Sequence, residues 1–221
     1  MYMKKILMAA MMLLLTVGAQ AQNEVGEWSL KPYVGVGSAR LTNMPNIPIA
    51  GNISLKRDFL PGFVAGAEVE YQLHERVSLT TGLGYALQGG KWKDFSMAGA
   101  SVKNTKLLLG YIQLPVLAQV YLVDGLSLKA GVQLGYLAHA KMKSKLDATG
   151  YSEEINESLV DDAHRFDLSI PIGASFEFDN NLVLDVSYKI GVTKVEKEDE
   201  DLRGDMRNRV FTITVGYKFD L

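Results

Sequence analysis

The 221-residue chain contains no cysteine, only six prolines and only three histidines. The lack of cysteine excludes disulfides, thiolate metal sites and the lipid-modified N-terminal cysteine of a lipoprotein. After residue 22 no apolar run reaches 18 residues, so no helical membrane span is predicted. The formal charge of −2 lacks the basic excess that nucleic-acid binding needs. We therefore expect no nucleic-acid partner, and the class of fold must be sought in other patterns.

The N-terminal segment has the pattern of a secretory signal peptide. Two lysines precede an apolar run at 6–15, and an Ala-x-Ala cleavage motif ends at Ala21. An uncleaved membrane anchor is the alternative, but the run is short for a transmembrane helix. We expect residues 1–21 to be a cleaved signal peptide and residues 22–221 to form one domain. Loss of the two lysines takes the formal charge from −2 to −4.

Eight segments alternate apolar and polar residues with a period of two, which is typical of β-strands that bury one face. In the last of them the odd positions from Phe211 to Phe219 are all apolar or aromatic, and the residues between them are Thr, Thr, Gly and Lys. The predicted strands are 28–36, 63–72, 77–88, 105–122, 126–138, 166–178, 182–192 and 211–219.

The connections between these strands are alternately long and short. The short ones are turns such as Asp124-Gly125. Outer-membrane barrels show this asymmetry, with short periplasmic turns and longer extracellular loops. The long connections, which we interpret as loops, are 38–61, 89–104, 141–163 and 194–206.

Aromatic residues lie near both ends of the apolar faces, as the two interfacial girdles of a membrane barrel would require. At the turn end they are Trp28, Tyr71, Phe176, Phe178, Tyr217 and Phe219, and at the loop end Phe63, Tyr85, Tyr136, Phe166 and Phe211. We predict an all-β fold, an eight-stranded antiparallel up-and-down transmembrane β-barrel. It would be a monomer in the outer membrane of a Gram-negative cell envelope, porin-like in architecture, with both termini in the periplasm. The alternative is a soluble barrel with its apolar face inward, which eight strands would overfill.

One short motif resembles a known family. Tyr111 to Leu117 reads Tyr-Ile-Gln-Leu-Pro-Val-Leu and is similar to the Tyr-x-x-(Ile/Leu)-Pro-x-Leu signature in the fourth strand of the PorT-like outer-membrane β-barrel family of Bacteroidota. Phe63–Ala67 and the closing Val215–Phe219 are similar to that family as well. The resemblance covers essentially the whole mature chain and implies the same barrel. It implies no catalytic residues, and although one relative is implicated in protein secretion, it does not assign that role.

The polar faces of the strands carry charges that this register directs into the barrel. Because an unpaired buried charge costs several kcal/mol, we expect these charges to pair. They could form an ion path or proton relay, or they could form a packed plug; eight strands enclose a space that side chains just fill. We predict a filled interior, with a narrow channel as the alternative. The nine residues are Lys31, Glu68, Glu70, Lys129, Asp167, Glu177, Asp185, Lys189 and Lys218.

A catalytic or metal site at the rim of the barrel is the alternative to a purely structural or recognition role. His139 and His164 flank the third loop, with Ser158, Asp161 and Asp162 close in sequence, and such groups at the rim could serve a lipid- or peptide-modifying enzyme or hold a metal. The spacing matches no catalytic motif, however. His139 also shares the alternate positions of its strand that are predicted to face the lumen.

We therefore predict no enzyme, no cofactor and no metal, and a structural or recognition role carried by the four loops. The expected partners are outer-membrane lipid and lipopolysaccharide, and another envelope protein bound through the loops. The Gly-x-Gly pairs at 35–37 and 82–84 lie in predicted strands with no helix following, so they do not predict a dinucleotide site.

Overall fold

The structure, a computed structural model, describes residues 24–43, 48–50, 53–54, 56–97, 100–148, 151–160, 163–195 and 206–221. The proposed signal peptide lies outside these residues. Eight long strands dominate the described part: β1 Trp28–Leu41, β2 Leu60–His74, β3 Val77–Trp92, β4 Ala100–Val123, β5 Leu126–Ala148, β6 Phe166–Glu177, β7 Leu182–Gly191 and β8 Asn208–Tyr217.

Each strand pairs antiparallel with the next along the chain, and β8 pairs with β1. Ile213 of β8, for example, lies opposite Val36 of β1 on one side and Val186 of β7 on the other. The pairing therefore closes into a ring, which confirms the predicted eight-stranded antiparallel barrel. No helix within the described residues has the length and apolar character to cross a membrane.

The outer face of the ring is apolar, as β4 illustrates. Tyr111, Gln113, Pro115 and Leu117 are buried, whereas the residues that alternate with them are exposed. Because successive side chains of a strand point to opposite faces, the exposed set faces outward. The soluble alternative, with its apolar face inward, is therefore wrong. The outward residues of this motif are Ile112, Leu114 and Val116, which are 41%, 42% and 39% exposed.

The aromatic residues form clusters at both ends of the outer face. At the end that carries the short turns, called the turn end here, the ring centroids of Trp28 and Tyr71 lie 4.5 Å apart. At the opposite loop end, Tyr136 contacts Phe166 at 5.6 Å. The other neighbouring pairs are Phe176–Phe178 and Tyr217–Phe219 at the turn end and Phe63–Tyr85 at the loop end.

The turn between β4 and β5 is the two-residue Asp124-Gly125 hairpin. Gly125 has a φ of 74°, a left-handed conformation that glycine adopts without steric cost. The turn between β6 and β7 uses Asn181 in a similar conformation, with a φ of 64°. Asparagine tolerates this region better than most residues do, so both tight turns follow from their sequences.

At the loop end, strand structure extends further than predicted. β5 continues to Ala148 and the chain returns as Tyr151–Ser158, paired residue for residue with Lys141–Ala148. Phe95–Met97 pairs in the same way with Ala100–Val102. The prediction that 89–104 and 141–163 are loops is therefore wrong over most of their length. We call this sheet beyond the loop-end aromatics the hairpin extension.

The missed strand signal lies in the charged run itself. From Lys141 to Asp147 the odd positions are charged, and Met142, Ser144 and Leu146 lie between them. This period of two predicts a strand, but its high charge resembles that of a solvated loop. In the first connection Arg57–Asp58 pairs with β3, and Pro48–Ala50 pairs with Ile53–Ser54. Most of 194–206 lies outside the described residues.

The outward position of the apolar face has a measurable consequence. We expect Val132→Arg, on the outer face of β5 about midway between the turn and Tyr136, to lower the free energy of unfolding in phospholipid vesicles by about 2–4 kcal/mol, because it places a charge in hydrocarbon. Val123→Arg, next to the turn, is the matched control and should cost about 0–1 kcal/mol. Urea unfolding followed by tryptophan fluorescence measures both. Equal small costs would show that this face does not meet lipid.

Candidate functional site: the barrel interior and its rim

Four charged side chains from four different strands meet in the middle of the barrel. Lys31 Nζ lies 2.8 Å from Asp185 Oδ2 and 2.9 Å from Glu68 Oε2. Lys129 Nζ lies 2.5 Å from Asp185 Oδ1 and 3.8 Å from Glu68 Oε2. Each ammonium group therefore contacts both carboxylates. We call Lys31, Glu68, Lys129 and Asp185 the ion quartet.

The ion quartet has no net charge and is largely shielded from solvent, with each side chain 9–14% exposed. Its members come from β1, β2, β5 and β7; β1 and β2 are neighbours, and β5 lies across the ring from β1. The quartet therefore spans the lumen. Because breaking a buried ion pair costs several kcal/mol, removal of one member, which leaves another charge uncompensated, should destabilise the barrel.

A second group lies nearer the turn end. Lys218 Nζ is 2.9 Å from Glu177 Oε2 and 3.7 Å from Glu70 Oε2. Glu70 also accepts hydrogen bonds from the hydroxyl groups of Ser78 and Tyr121, each at 2.5 Å. Ser78 and Tyr121 occupy the alternate positions of their strands whose side chains face the lumen. This alternation was the one feature of the sequence that could have identified them.

A third group lies nearer the loop end. Asp167 accepts hydrogen bonds from Asn208 Nδ2 at 3.2 Å and from Thr193 Oγ1 at 3.3 Å. Lys189 is buried, and no carboxylate of the described residues lies within 4.0 Å of its ammonium group. It lines a cavity of about 90 Å³ together with Tyr33 and other polar side chains. A cavity of this volume with some polar side chains in its wall has room for several water molecules.

Above these polar groups, the loop end of the interior is filled by an apolar cluster that the sequence reading missed. Its buried members come from four strands, β1, β3, β4 and β5, and from the segments just before β6 and just after β7. Phe95, Val102, Leu159, Val160 and Met206 pack against it. We call the cluster the apolar cap; it consists of Leu41, Trp92, Leu107, Leu109, Tyr111, Leu137, Ala140, Ala163 and Val195.

The side chain of Tyr33 lies against two glycines of the interior, Gly66 and Gly84. Its hydroxyl lies where a Cβ atom on Gly66 or on Gly84 would stand, at 2.7 Å and 2.5 Å respectively. A Cβ atom at Gly84 would meet the Tyr33 hydroxyl first, whereas one at Gly66 would also crowd the backbone carbonyl oxygen of Leu83 at 2.5 Å. Gly84 belongs to one of the two Gly-x-Gly pairs, so its role is to make room for an aromatic side chain.

All nine charged residues predicted to face inward lie inside the ring. The structure brings them together as the quartet, the group around Lys218, and the region of Asp167 and Lys189. The interior is therefore filled at several levels. No three or more His, Asp or Glu side chains in the part of the chain that the structure describes are grouped so as to hold a metal ion.

The prediction that His139 faces the lumen is wrong. Gly110 pairs with His139 and Tyr111 pairs with Leu137, so β5 has an extra residue at Ala138. This β-bulge reverses the parity of the strand beyond it. Leu137 and Ala140 are buried, while His139 lies on the outer face with its ring nitrogens 3.3–3.4 Å from the Tyr85 hydroxyl.

Within the described residues, the catalytic arrangement considered at the rim is not assembled. His164 is exposed, and its backbone N–H donates to the carbonyl oxygen of Val195 at 2.8 Å. Ser158 is exposed, and Asp161 and Asp162 lie outside the described residues. Among the described residues, the His139 ring contacts the Tyr85 hydroxyl, and no carboxylate orients it as in a catalytic triad.

Comparisons with known proteins concern both family and shape. The model of the family described as outer membrane protein beta-barrel domain matches residues 19–197. No curated protein matches the chain in sequence. Among solved structures, the attachment invasion locus protein Ail of Yersinia pestis is 16% identical, with 88% of this chain and 99% of that chain covered and a TM-score of 0.43. Neisserial surface protein A is 14% identical, with coverages of 87% and 97% and a TM-score of 0.45.

The outer membrane protein OprG from Pseudomonas aeruginosa is also similar. It is 12% identical, with 91% of this chain and 99% of that chain covered and a TM-score of 0.42.

The ion quartet predicts a specific pattern of stability. Asp185→Asn leaves two lysines facing a single carboxylate, and we expect it to lower the free energy of unfolding in detergent by about 3 kcal/mol. Asp179→Asn, in an exposed turn, is the matched control and should stay within about 0.5 kcal/mol of the wild type. The double variant Asp185→Asn/Lys129→Gln should recover part of the loss because it restores neutrality. Without such recovery, packing and not charge would account for the loss.

Proposed function

The chain belongs to the outer membrane protein beta-barrel domain family, and we propose that it is a non-conducting barrel that holds recognition hairpins at the cell surface. The observation that carries this proposal is the filled interior. The group around Lys218, the ion quartet and the apolar cap occupy the lumen at successive levels. A barrel closed in this way is suited to be an anchor rather than a conduit for ions or solutes.

The hairpin extension supplies the surface for recognition. Strands β4 and β5 continue well beyond the aromatic girdle, and Tyr151–Ser158 adds a further strand to their sheet. This last strand lies at the end of the strand order, and its outer edge has no partner strand among the described residues. Rigid strands that carry an exposed edge present a defined surface to a partner, as in strand addition.

The finer assignments belong to this proposal as well. The chain would be a PorT-like member of the family from Bacteroidota, monomeric, with residues 1–21 removed and both termini in the periplasm. Its partners would be outer-membrane lipid and lipopolysaccharide, with another envelope protein bound through 38–61, 89–104, 141–163 and 194–206. We propose no cofactor, no nucleic-acid partner, and no catalytic role for His139 and His164.

The orientation can be tested cleanly because the chain has no cysteine. We expect Glu153→Cys, in the hairpin extension, to react with a membrane-impermeant maleimide on intact cells. Asp179→Cys, in a turn at the other end, is the matched control and should react only after lysis. Both side chains are exposed, so a difference in labelling reports the side of the membrane. The opposite pattern would place the hairpins in the periplasm.

The filled lumen predicts that the barrel does not conduct ions. In planar bilayers, the purified barrel should give no discrete current steps at any holding voltage, because side chains block the lumen at several levels. A porin incorporated under the same conditions provides the positive control. Reproducible unitary steps would contradict the plug and favour the narrow channel.

A further inference from the structure

A row of lysines crosses the outer face of three neighbouring strands at the loop end. Lys91 of β3 pairs directly with Lys106 of β4, and Lys106 pairs directly with Lys143 of β5. Directly opposed residues of an antiparallel pair have their Cβ atoms about 5 Å apart, and like charges at that spacing destabilise the sheet. We call Lys91, Lys106 and Lys143 the lysine row.

The lysine row points away from the barrel interior. Lys106 lies between Thr105 and Leu107, both of which are buried inside. Lys91 precedes the buried Trp92 in the same way. Next to Lys143, the Ser144 hydroxyl lies 2.8 Å from the hydroxyl of the inward Thr105. Since side chains alternate along a strand, all three lysines face outward.

Within the described residues, the lysine row has no ion-pair partner within 4.0 Å. Asp58 lies opposite Lys91 at one end of the row, but its Oδ1 accepts a hydrogen bond from the backbone N–H of Phe59. At the other end Asn156, a neutral residue, lies opposite Lys143. The row therefore keeps an excess of positive charge.

The next row of the same two strands is different and provides a comparison. Lys103 and Lys145 are also directly opposed, but both approach Asp147, at 3.8 Å and 3.9 Å. A hydrogen bond from the Ser152 hydroxyl, followed by the nearby Lys145 and Lys103, holds the pKa of Asp147 below its usual range. Lys145 also lies 3.9 Å from Glu154. Charge is thus balanced within the protein in one row and not in its neighbour.

The height of the lysine row above the aromatic girdle indicates the kind of partner. Lys91 is six residues beyond Tyr85, and Lys106 is six residues from Ile112 in the same girdle row. Six residues span about 20 Å of strand, or about 15 Å of height at a tilt of about 40°. The headgroup layer of a phospholipid bilayer is only about 5–7 Å thick on each side. The lysines therefore lie above phospholipid phosphates, at the level of charged sugars.

We propose that the lysine row binds the phosphate groups of lipopolysaccharide on the flank of the barrel, at the base of the hairpin extension. The assignment rests on the proposed orientation, in which the loop end faces outward. Lipopolysaccharide carries phosphates on its glucosamine disaccharide and acidic groups on its inner sugars, so it presents anions through the range of heights that the lysine side chains reach. Lys141, exposed and one row nearer the girdle, extends the site towards the membrane.

The test compares two matched pairs of substitutions in the barrel refolded in detergent micelles. Lys106→Gln/Lys143→Gln removes two unpaired charges, whereas Lys103→Gln/Lys145→Gln removes two paired charges from the adjacent row of the same strands. The probe is purified lipopolysaccharide, titrated by calorimetry at low and physiological salt. We expect the first pair to lower the affinity by about 10- to 30-fold and to flatten the salt dependence, and the control to change it by less than about threefold.

Further measurements identify which chemical groups of the ligand are bound. Lipopolysaccharide with its phosphates removed should bind like the Lys106→Gln/Lys143→Gln variant, and Lys106→Arg/Lys143→Arg should retain binding. Phosphatidylglycerol and inorganic phosphate should not compete at matched phosphate concentration. At the same concentration, lipopolysaccharide should also raise the unfolding temperature of the wild type more than that of the Lys106→Gln/Lys143→Gln variant, because tighter binding to the folded state stabilises it more.

Several outcomes would overturn the proposal. These are unchanged affinity in the Lys106→Gln/Lys143→Gln variant, an equal loss in the control pair, equal binding of the dephosphorylated glycolipid, or full competition by phosphatidylglycerol or inorganic phosphate. Heat-modifiable migration on detergent gels verifies that each variant is folded. Cysteine labelling of the hairpins tests the orientation separately, so failure of the site and failure of the orientation are distinguishable.

Discussion

The closure of the hydrogen-bonded ring between β8 and β1 is the constraint on which the rest of this structure depends. In hydrocarbon no water is available for backbone N–H and C=O groups, and each unpaired group costs several kcal/mol. A ring leaves no open edge within the membrane. Once the ring is closed, strand geometry directs alternate side chains to lipid and to the lumen, which explains why Val36, Val186 and Ile213 face outward together.

The same closure makes the interior narrow, and this accounts for its chemistry. Charged side chains directed inward have little water to solvate them, so an opposite charge or a hydrogen-bond partner within reach stabilises them. The ion quartet and the pairing of Lys218 with Glu177 meet that requirement. The apolar cap excludes water at the loop end in a different way. A rigid, filled scaffold leaves the hairpins and the outer flank as the surfaces available to a partner.

Most of the architecture could be predicted because it depends on local alternation. The strand number, the inward set of nine charges and the outward apolar faces all follow from a period of two. The errors occurred where one residue or one composition broke the rule. The bulge at Ala138 turned His139 outward. The high charge of Lys141–Asp147 led to the prediction of a loop where the structure has a strand. The apolar cap was missed because its members are few in each strand and meet only across the lumen.

By itself, then, the sequence determined which face of each strand is apolar and which is polar. This holds because side chains alternate between the two faces of a strand, whichever strands it pairs with. Tertiary structure decided which residues become neighbours. The contact of Lys31 with Asp185, 154 positions apart, and the alignment of Lys91, Lys106 and Lys143 depend on the register between strands. A shift of one residue in that register would separate each group, and register is set only when the whole ring closes.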